Sequence, residues 1–219
     1  MKIFLDTAHL PTIQRWVETG IVDGVTTNPT NLSLEGKDPK KQVLEICAVI
    51  PEGELSVEVT LTDPEAVYKQ AKAIASLHEA IVVKIPCHIN YYPVIKRLVS
   101  EGVRLNITLV FTVLQGFMMS KLGVDYISPF VGRLDDVDTD GLALIEQLRQ
   151  MLDMYGYETQ LLAASLRDLR HLHGALMAGA DAATMPAKIL ELATMHPLTD
   201  KGIALFEADW KKLGITQFP

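Results

Sequence analysis

The sequence predicts an α/β protein: a single closed (β/α)8 barrel of the TIM type with an extra C-terminal helix. Three observations carry that expectation. Eight short apolar runs alternate with longer stretches of helical periodicity along the 219 residues. Glycine recurs where a helical stretch hands over to an apolar run. Polar residues interrupt the runs near their C-terminal ends, where active sites of such barrels lie.

Taken in order, the runs are KIFLD (2–6), VDGVTT (22–27), LSVEV (55–59), AIVVKI (80–85), VRLNITLV (103–110), VDYISPF (124–130), QLLAAS (160–165) and ADAATM (180–185). Most are β-branched or otherwise apolar, as strands covered on both faces should be. Their alternation with helices implies right-handed crossovers and a parallel sheet. Asp38-Pro39 and Asp63-Pro64 each read as N-cap followed by first helical residue, and Thr62 and Glu65 have capping-box spacing. Thr112 suits the cap of a helix ending at Gly123, and 138–155 reads as one helix closed by Gly156. Thr19-Gly20-Ile21, Glu101-Gly102-Val103, Leu122-Gly123-Val124 and Ala178-Gly179-Ala180 repeat one handover, with glycine in the left-handed region before the next strand.

Eight units average roughly 27 residues each, near the lower size limit of a closed barrel. An open doubly wound sheet competes, but no GxGxxG or GxxxxGK[ST] loop follows any run. With no linker visible, residues 1–219 read as a single domain. The segment 198–213 adds a helix with Ile203, Phe206, Trp210 and Leu213 at helical spacing. Packing on its own barrel and contact with another subunit are both open for it. The tail 215–219 is too short to fold alone.

A net charge of -7 without any Lys/Arg-rich run argues against a nucleic-acid partner. An anionic substrate would then need a local cationic pocket. Cys47 and Cys87 form no CxxC pair and read as free thiols in a reducing compartment. The N-terminal MKIFLDT meets an acid at Asp6, and no apolar stretch approaches the ~20 residues that span a bilayer. A cytosolic location without membrane attachment is therefore expected.

The polar interruptions are the functional signal. Lys84 sits within Ile81-Val82-Val83-Lys84-Ile85-Pro86. Charged residues are seldom buried, so a lysine in an apolar strand points either to chemistry or to an outer-face salt bridge under a helix. Desolvation penalises an ammonium, and a neutral amine can attack a ketone carbonyl to form an imine. Such chemistry also needs groups that give and take protons, and Asp6 and Glu58 are the available carboxylates. Each has a plainer reading: Asp6 as a cap of the first helix, Glu58 as a counter-charge to Lys84. Thr26, Thr27 and Asn28 end the second run, Asn106 and Thr108 lie in the fifth, and Ser128 in the sixth. Asn28, Asn106, Thr108 and Ser128 suit hydrogen bonding to a polyol, although Asn28 is also a good turn residue. Arg133 and Arg167 follow the sixth and seventh runs, and Ser165 precedes a helix start. These can form the cationic, phosphate-binding patch, with surface pairing to Asp135, Asp136 or Asp168 as the alternative.

Other candidates are weaker. His171 and His173 are two apart and do not share a helix face, so a surface helix is expected rather than a metal pair. Cys87-His88 lacks further ligands or a triad partner. Met118, Met119, Met151 and Met154 read as core filler. No residue pattern demands a metal or organic cofactor.

At these residues the chain resembles the short bacterial and archaeal transaldolases and their relative, fructose-6-phosphate aldolase. The likeness spans nearly the whole chain. It rests on Phe4-Leu5-Asp6-Thr7, Gly24-Val25-Thr26-Thr27-Asn28-Pro29-Thr30, Val57-Glu58-Val59, Val82-Val83-Lys84-Ile85-Pro86, Asn106-Ile107-Thr108-Leu109, Ser128-Pro129-Phe130-Val131-Gly132-Arg133 and Ala163-Ala164-Ser165. The resemblance implies that Lys84 forms a Schiff base with a dihydroxyacetone unit and that Asp6 is the general acid/base. It implies that Glu58 and Thr108 position a proton-shuttling water, and that Asn28, Asn106 and Ser128 bind the dihydroxyacetone part. Arg133, Ser165 and Arg167 would hold the phosphate of fructose 6-phosphate or sedoheptulose 7-phosphate. No cofactor is implied, and short members of this type form pentamer-based decamers through the terminal helix. The aldolases resemble one another in carrying Gln and Tyr where this chain has Glu58 and Phe130, so the implied activity is transaldolase, with free aldolase as the alternative and a silent sugar-phosphate binder further off. The segment Cys87-His88-Ile89-Asn90-Tyr91-Tyr92 departs from the family, whose members usually have a Thr/Gly-containing loop there.

Overall fold

Alternation within each apolar run decides which side chains face the barrel axis. In the fourth run Ile81, Val83 and Ile85 join the large core between strands and helices, whereas Val82 belongs to a small separate cluster with Phe4, Tyr126, Leu162 and Ala182. That small cluster fills the barrel, and the large one glues the helices to its outside.

The structure, a computed structural model, describes residues 1–214. Its strands are β1 (Lys2–Asp6), β2 (Gly24–Thr26), β3 (Glu54–Glu58), β4 (Ile81–Pro86), β5 (Leu105–Val110), β6 (Tyr126–Pro129), β7 (Gln160–Ala163) and β8 (Ala182–Met185). Each pairs in parallel with the next, and β8 pairs with β1, so the sheet closes. Between them run α1 (Leu10–Val17), α2 (Pro29–Leu34), α3 (Pro39–Val49), α4 (Pro64–Ala75), α5 (Tyr92–Ser100), α6 (Val113–Leu122), α7 (Val131–Asp135), α8 (Gly141–Tyr155) and α9 (Leu169–Met177). The helices α10 (Ala187–Ala193) and α11 (Pro197–Lys212) follow β8. Among the described residues no helix is long and apolar enough to cross a membrane.

The local signals that held are those with a direct backbone cause. Asp38 and Asp63 cap α3 and α4 through bonds from the Lys41 and Ala66 amides, at 2.8 and 2.9 Å. Thr112 caps α6, which ends on Gly123 in the left-handed region. Gly20, Gly102 and Gly179 also have positive φ. Two boundaries differ. Pro64 at N1 fixes Asp63 as the cap, so Thr62 and Glu65 form no capping box. The helix expected over 138–155 starts later, because Asp138 has φ +57° and α8 begins only after the Asp140 cap.

Three further expectations, those for Met118, Met154 and His171, are corrected by burial. Met119 and Met151 are core residues, but Met118 and Met154 are exposed. His171 is buried rather than on a surface. The apolar residues Ile203, Phe206, Trp210 and Leu213 of the terminal segment are exposed, so α11 does not bury that stripe on its own barrel. The short tail 215–219 lies outside the described residues.

The N-terminal end of the barrel is plugged by polar groups. Tyr126 Oη accepts from Lys2 Nζ at 2.8 Å and donates to Glu54 Oε2 at 2.6 Å, while Arg104 Nη1 donates to Glu54 Oε1 at 3.1 Å. Above this plug Gly24 lets β2 pass close to the Phe4 ring: a Cβ there would lie 2.5 Å from the Glu54 carbonyl oxygen and 3.1 Å from the ring. Backbone on one side leaves little room to relax. A Gly24→Ala change is therefore expected to destabilise the fold by about 1–3 kcal/mol, seen as a lower thermal midpoint.

Candidate active site

The register of three neighbouring strands sets the centre of the site. Glu58 on β3 pairs with Lys84 on β4, and Lys84 pairs with Asn106 on β5, so all three project inward at one level. Lys84 is only 6% exposed. Its Nζ lies 3.0 Å from Glu58 Oε2 and donates to the Thr27 carbonyl at 3.1 Å. The outer-face reading of Lys84 is thereby excluded. The counter-charge reading of Glu58 holds as geometry, and it does not preclude a chemical role.

Around the amine the polar side chains hold one another. Asn106 Nδ2 donates to Ser56 Oγ at 3.1 Å, and its Oδ1 accepts from Ser128 Oγ at 2.6 Å. That chain links β3, β5 and β6 and fixes the amide's orientation. On the opposite wall the Thr26 and Thr184 hydroxyls are 2.6 Å apart. Thr108 is buried on β5, and its Oγ1 has no partner among the described residues. Leu109, next in the chain, takes φ +58° where the β5–β6 register shifts. A left-handed non-glycine residue costs about 1–2 kcal/mol, which this bulge accepts at the mouth of the site.

Asp6 ends β1. Its Oδ1 accepts from Asn31 Nδ2 at 2.8 Å. It does not cap α1, whose cap position is His9. Burial pushes the Asp6 carboxyl above its ordinary value of 3.8, opposed by the Lys84 charge and by hydrogen bonds from Asn31 and Thr26, with Glu58 adding a smaller upward push. Asn28 caps α2, its Oδ1 accepting from the Asn31 amide at 2.8 Å. Its other amide atom, Nδ2, is left for the cavity.

These groups surround a recess of about 130 Å³. Asp6, Thr26, Asn28, Lys84, Asn106 and Ser128 form its polar wall. Phe130, Arg133 and Ser165 lie toward the next loops, and Leu162, Ala164 and Thr184 complete it. The Arg133 guanidinium lies 5.0 Å over the Phe130 ring. Ser165 has φ +59°, and its carbonyl accepts from the Gly132 amide at 3.1 Å, tying the loop after β7 to α7.

Of the residues expected from sequence, Glu58, Thr108 and Arg167 are not on the recess wall. Glu58 reaches it through Lys84. Arg167 forks onto both oxygens of Asp136, so the surface-pairing alternative is the one observed for that arginine. Behind it, buried His171 Nδ1 accepts from the Arg167 amide at 3.2 Å and Nε2 donates to Asp135 Oδ2 at 2.7 Å. His173 is exposed. Sequence reasoning did not single out Thr184, Ser56 or Asn31. Thr184 and Ser56 were findable as inward positions two residues from other inward ones; Asn31 had no local signal, because its partner lies 25 residues away.

A parallel barrel whose C-terminal mouth gathers an amine, two carboxylates and a ring of amides and hydroxyls defines a barrel enzyme of the aldolase kind. Comparison with known proteins makes that specific: residues 3–216 match the transaldolase/fructose-6-phosphate aldolase family, and the chain belongs to it. It is 47% identical over 217 residues to a protein named probable transaldolase from Lactiplantibacillus plantarum, covering 99% of this chain and all of that relative. A probable transaldolase from Dehalococcoides mccartyi is also 47% identical, over 97% of this chain and 99% of its own. One from Rhizobium meliloti is 42% identical, over 98% of each.

The raised Asp6 carboxyl has a consequence for stability. Between 3.8 and its higher folded value the folded state holds more protons than the unfolded one, so Asp6 contributes less stability as pH rises through that window. Asp6→Asn is expected to raise the melting temperature by a few degrees at neutral pH. The gap should close as pH falls toward 3.8, as thermal melts of both proteins across pH would show.

Proposed function

We propose that the protein is a transaldolase that moves a dihydroxyacetone unit from fructose 6-phosphate or sedoheptulose 7-phosphate to an aldose phosphate through an imine on Lys84. The observation that carries this reading is the contact of the buried Lys84 amine with Glu58 at 3.0 Å, in a recess that Asp6 also lines. A proton passed to the Glu58 carboxylate frees the amine's lone pair. The amine attacks the ketose carbonyl carbon, and the carbinolamine hydroxyl takes a proton and leaves as water. Asp6 then accepts the proton of the hydroxyl on the carbon beyond the scissile bond as that bond breaks. An aldehyde leaves and an enamine stays on Lys84. Attack of the enamine on the acceptor aldehyde reverses these steps, and water releases the new ketose.

Other groups support the same roles. The buried, unpartnered Thr108 hydroxyl is costly to keep unless it serves a ligand, which agrees with a part in carbinolamine proton transfer. Asn28, Asn106 and Ser128 offer donors and acceptors to the dihydroxyacetone hydroxyls. Arg133 and Ser165 suit the phosphate at the rim; Arg167 would join them only by leaving Asp136. Glu58 and Phe130 favour transaldolase over free aldolase. Phe130 lacks a hydroxyl that could orient a proton donor toward the enamine, so the enamine waits for an aldehyde. The exposed apolar stripe of α11 supports packing against another subunit, in the pentamer-based decamer that family likeness implies, with the cytosol as the site of action.

Fructose 6-phosphate with borohydride is expected to add mass at Lys84, and Lys84→Met to lose at least about a thousandfold in kcat. Labelling at another lysine would reject the assignment. Turnover of fructose 6-phosphate should require erythrose 4-phosphate; equal rates without it would indicate a free aldolase. Phe130→Tyr should raise the acceptor-independent rate.

A further inference from the structure

Asp6 occupies the last position of β1 and has a weaker backbone hold than its neighbours. Its Cα is paired with Thr26 on β2, whereas on the other side the pairing with β8 stops one residue earlier, at Leu5 and Met185. The side chain must nevertheless keep one oxygen ready for a substrate proton. The bond from Asn31 Nδ2 to Asp6 Oδ1, at 2.8 Å, adds a restraint from α2 to the hydrogen bond that Thr26 supplies from β2. Asn31 is itself fixed from the other end, because its backbone amide donates to Asn28 Oδ1 at 2.8 Å. One six-residue helix thus holds Asn28 on the recess wall and aims Asn31 at Asp6.

We propose that Asn31 is a positioning residue for Asp6, its side-chain amide holding the carboxyl in the orientation and protonation state that carbon–carbon cleavage requires. The inference rests on the transaldolase reading above. A donated hydrogen bond favours the carboxylate over the acid. The charged groups acting on Asp6 are Lys84 from β4 and Glu58 from β3; the side chains facing it from β2 and α2, Thr26 and Asn31, are uncharged. Against burial, Asn31 and Thr26 therefore work on the same side as Lys84, and Asn31, the stronger of these two hydrogen-bonding groups, is not consumed when the amine becomes an imine. Its effect on Asp6 persists through the steps in which the Lys84 amine changes form.

The test is the pH profile of kcat/KM with fructose 6-phosphate and erythrose 4-phosphate. Asn31→Leu keeps the size and the backbone bond to Asn28 but removes the donor. Its acidic limb should move to higher pH, since Asp6 then holds its proton longer, and kcat at neutral pH should fall about tenfold with KM within about twofold. Asn31→Asp, similar in size but negative, should move the limb further in the same direction. Titration of the Asp6 carboxyl by carbon-13 NMR in wild type and in Asn31→Ser gives the same ordering without turnover, should the leucine variant fold poorly. Limbs and titrations that stay at the wild-type pH in all variants would overturn the role. Borohydride labelling separates the two readings. Wild-type labelling at Lys84 with unmoved profiles defeats the Asn31 inference alone, whereas no labelling in wild type defeats the reaction and the inference together.

Discussion

An ammonium group inside a barrel is tolerated only where the fold supplies its counter-charge, and the pair Lys84–Glu58 sets that condition here. Desolvating each ion costs several kcal/mol, and their contact must repay most of it. Repayment needs both side chains on one level of adjacent strands, which the register Glu58 to Lys84 provides. A slip of β4 by one residue would turn Lys84 outward, away from Glu58 and the recess. The closed sheet, with its polar plug of Lys2, Glu54, Arg104 and Tyr126 at the other end, leaves no edge along which such a slip can start.

Around that pair the molecule divides its polar work between rigid and looser parts. Ser56, Asn106 and Ser128 lie on strands and satisfy one another, so the wall nearest the amine is pre-organised before any ligand arrives. The rim is built from segments with strained or exposed backbone: Leu109 and Ser165 in the left-handed region, and Arg167 paired to Asp136 at the surface. His171 is the buried anchor of that rim. It binds the Arg167 amide and the Asp135 carboxylate, joining α7, which carries Arg133, to the loop after β7, which carries Ser165.

Much of this was legible in the chain. The short apolar runs set between helical stretches located all eight strands to within a few positions, because strands covered on both faces are apolar along most of their length. Asp63-Pro64 and Thr112 marked helix starts, since capping is a bond between residues two or three apart. Lys84 stood out because an apolar strand has no cheap use for an ammonium. The failures share a cause. Asp138, in the left-handed region, moves the start of the 138–155 helix to Gly141. His171 was read as exposed on a helix pattern that says nothing about which loop covers it, and Met118 and Met154 as core on composition alone.

Sequence by itself pointed to the barrel, the amine at its centre and most of the polar side chains on the recess wall, because those follow from periodicity and from the cost of burying charge, whereas Phe130 was singled out through family resemblance alone. Only the tertiary structure decided partners. It gave Glu58 to Lys84, Asn31 to Asp6, Asp136 to Arg167 and Asp135 to His171, and it left the apolar stripe of α11 outside. Pairing depends on distances across 25 or more residues of chain, and those are fixed by strand register and loop path, which no local pattern encodes.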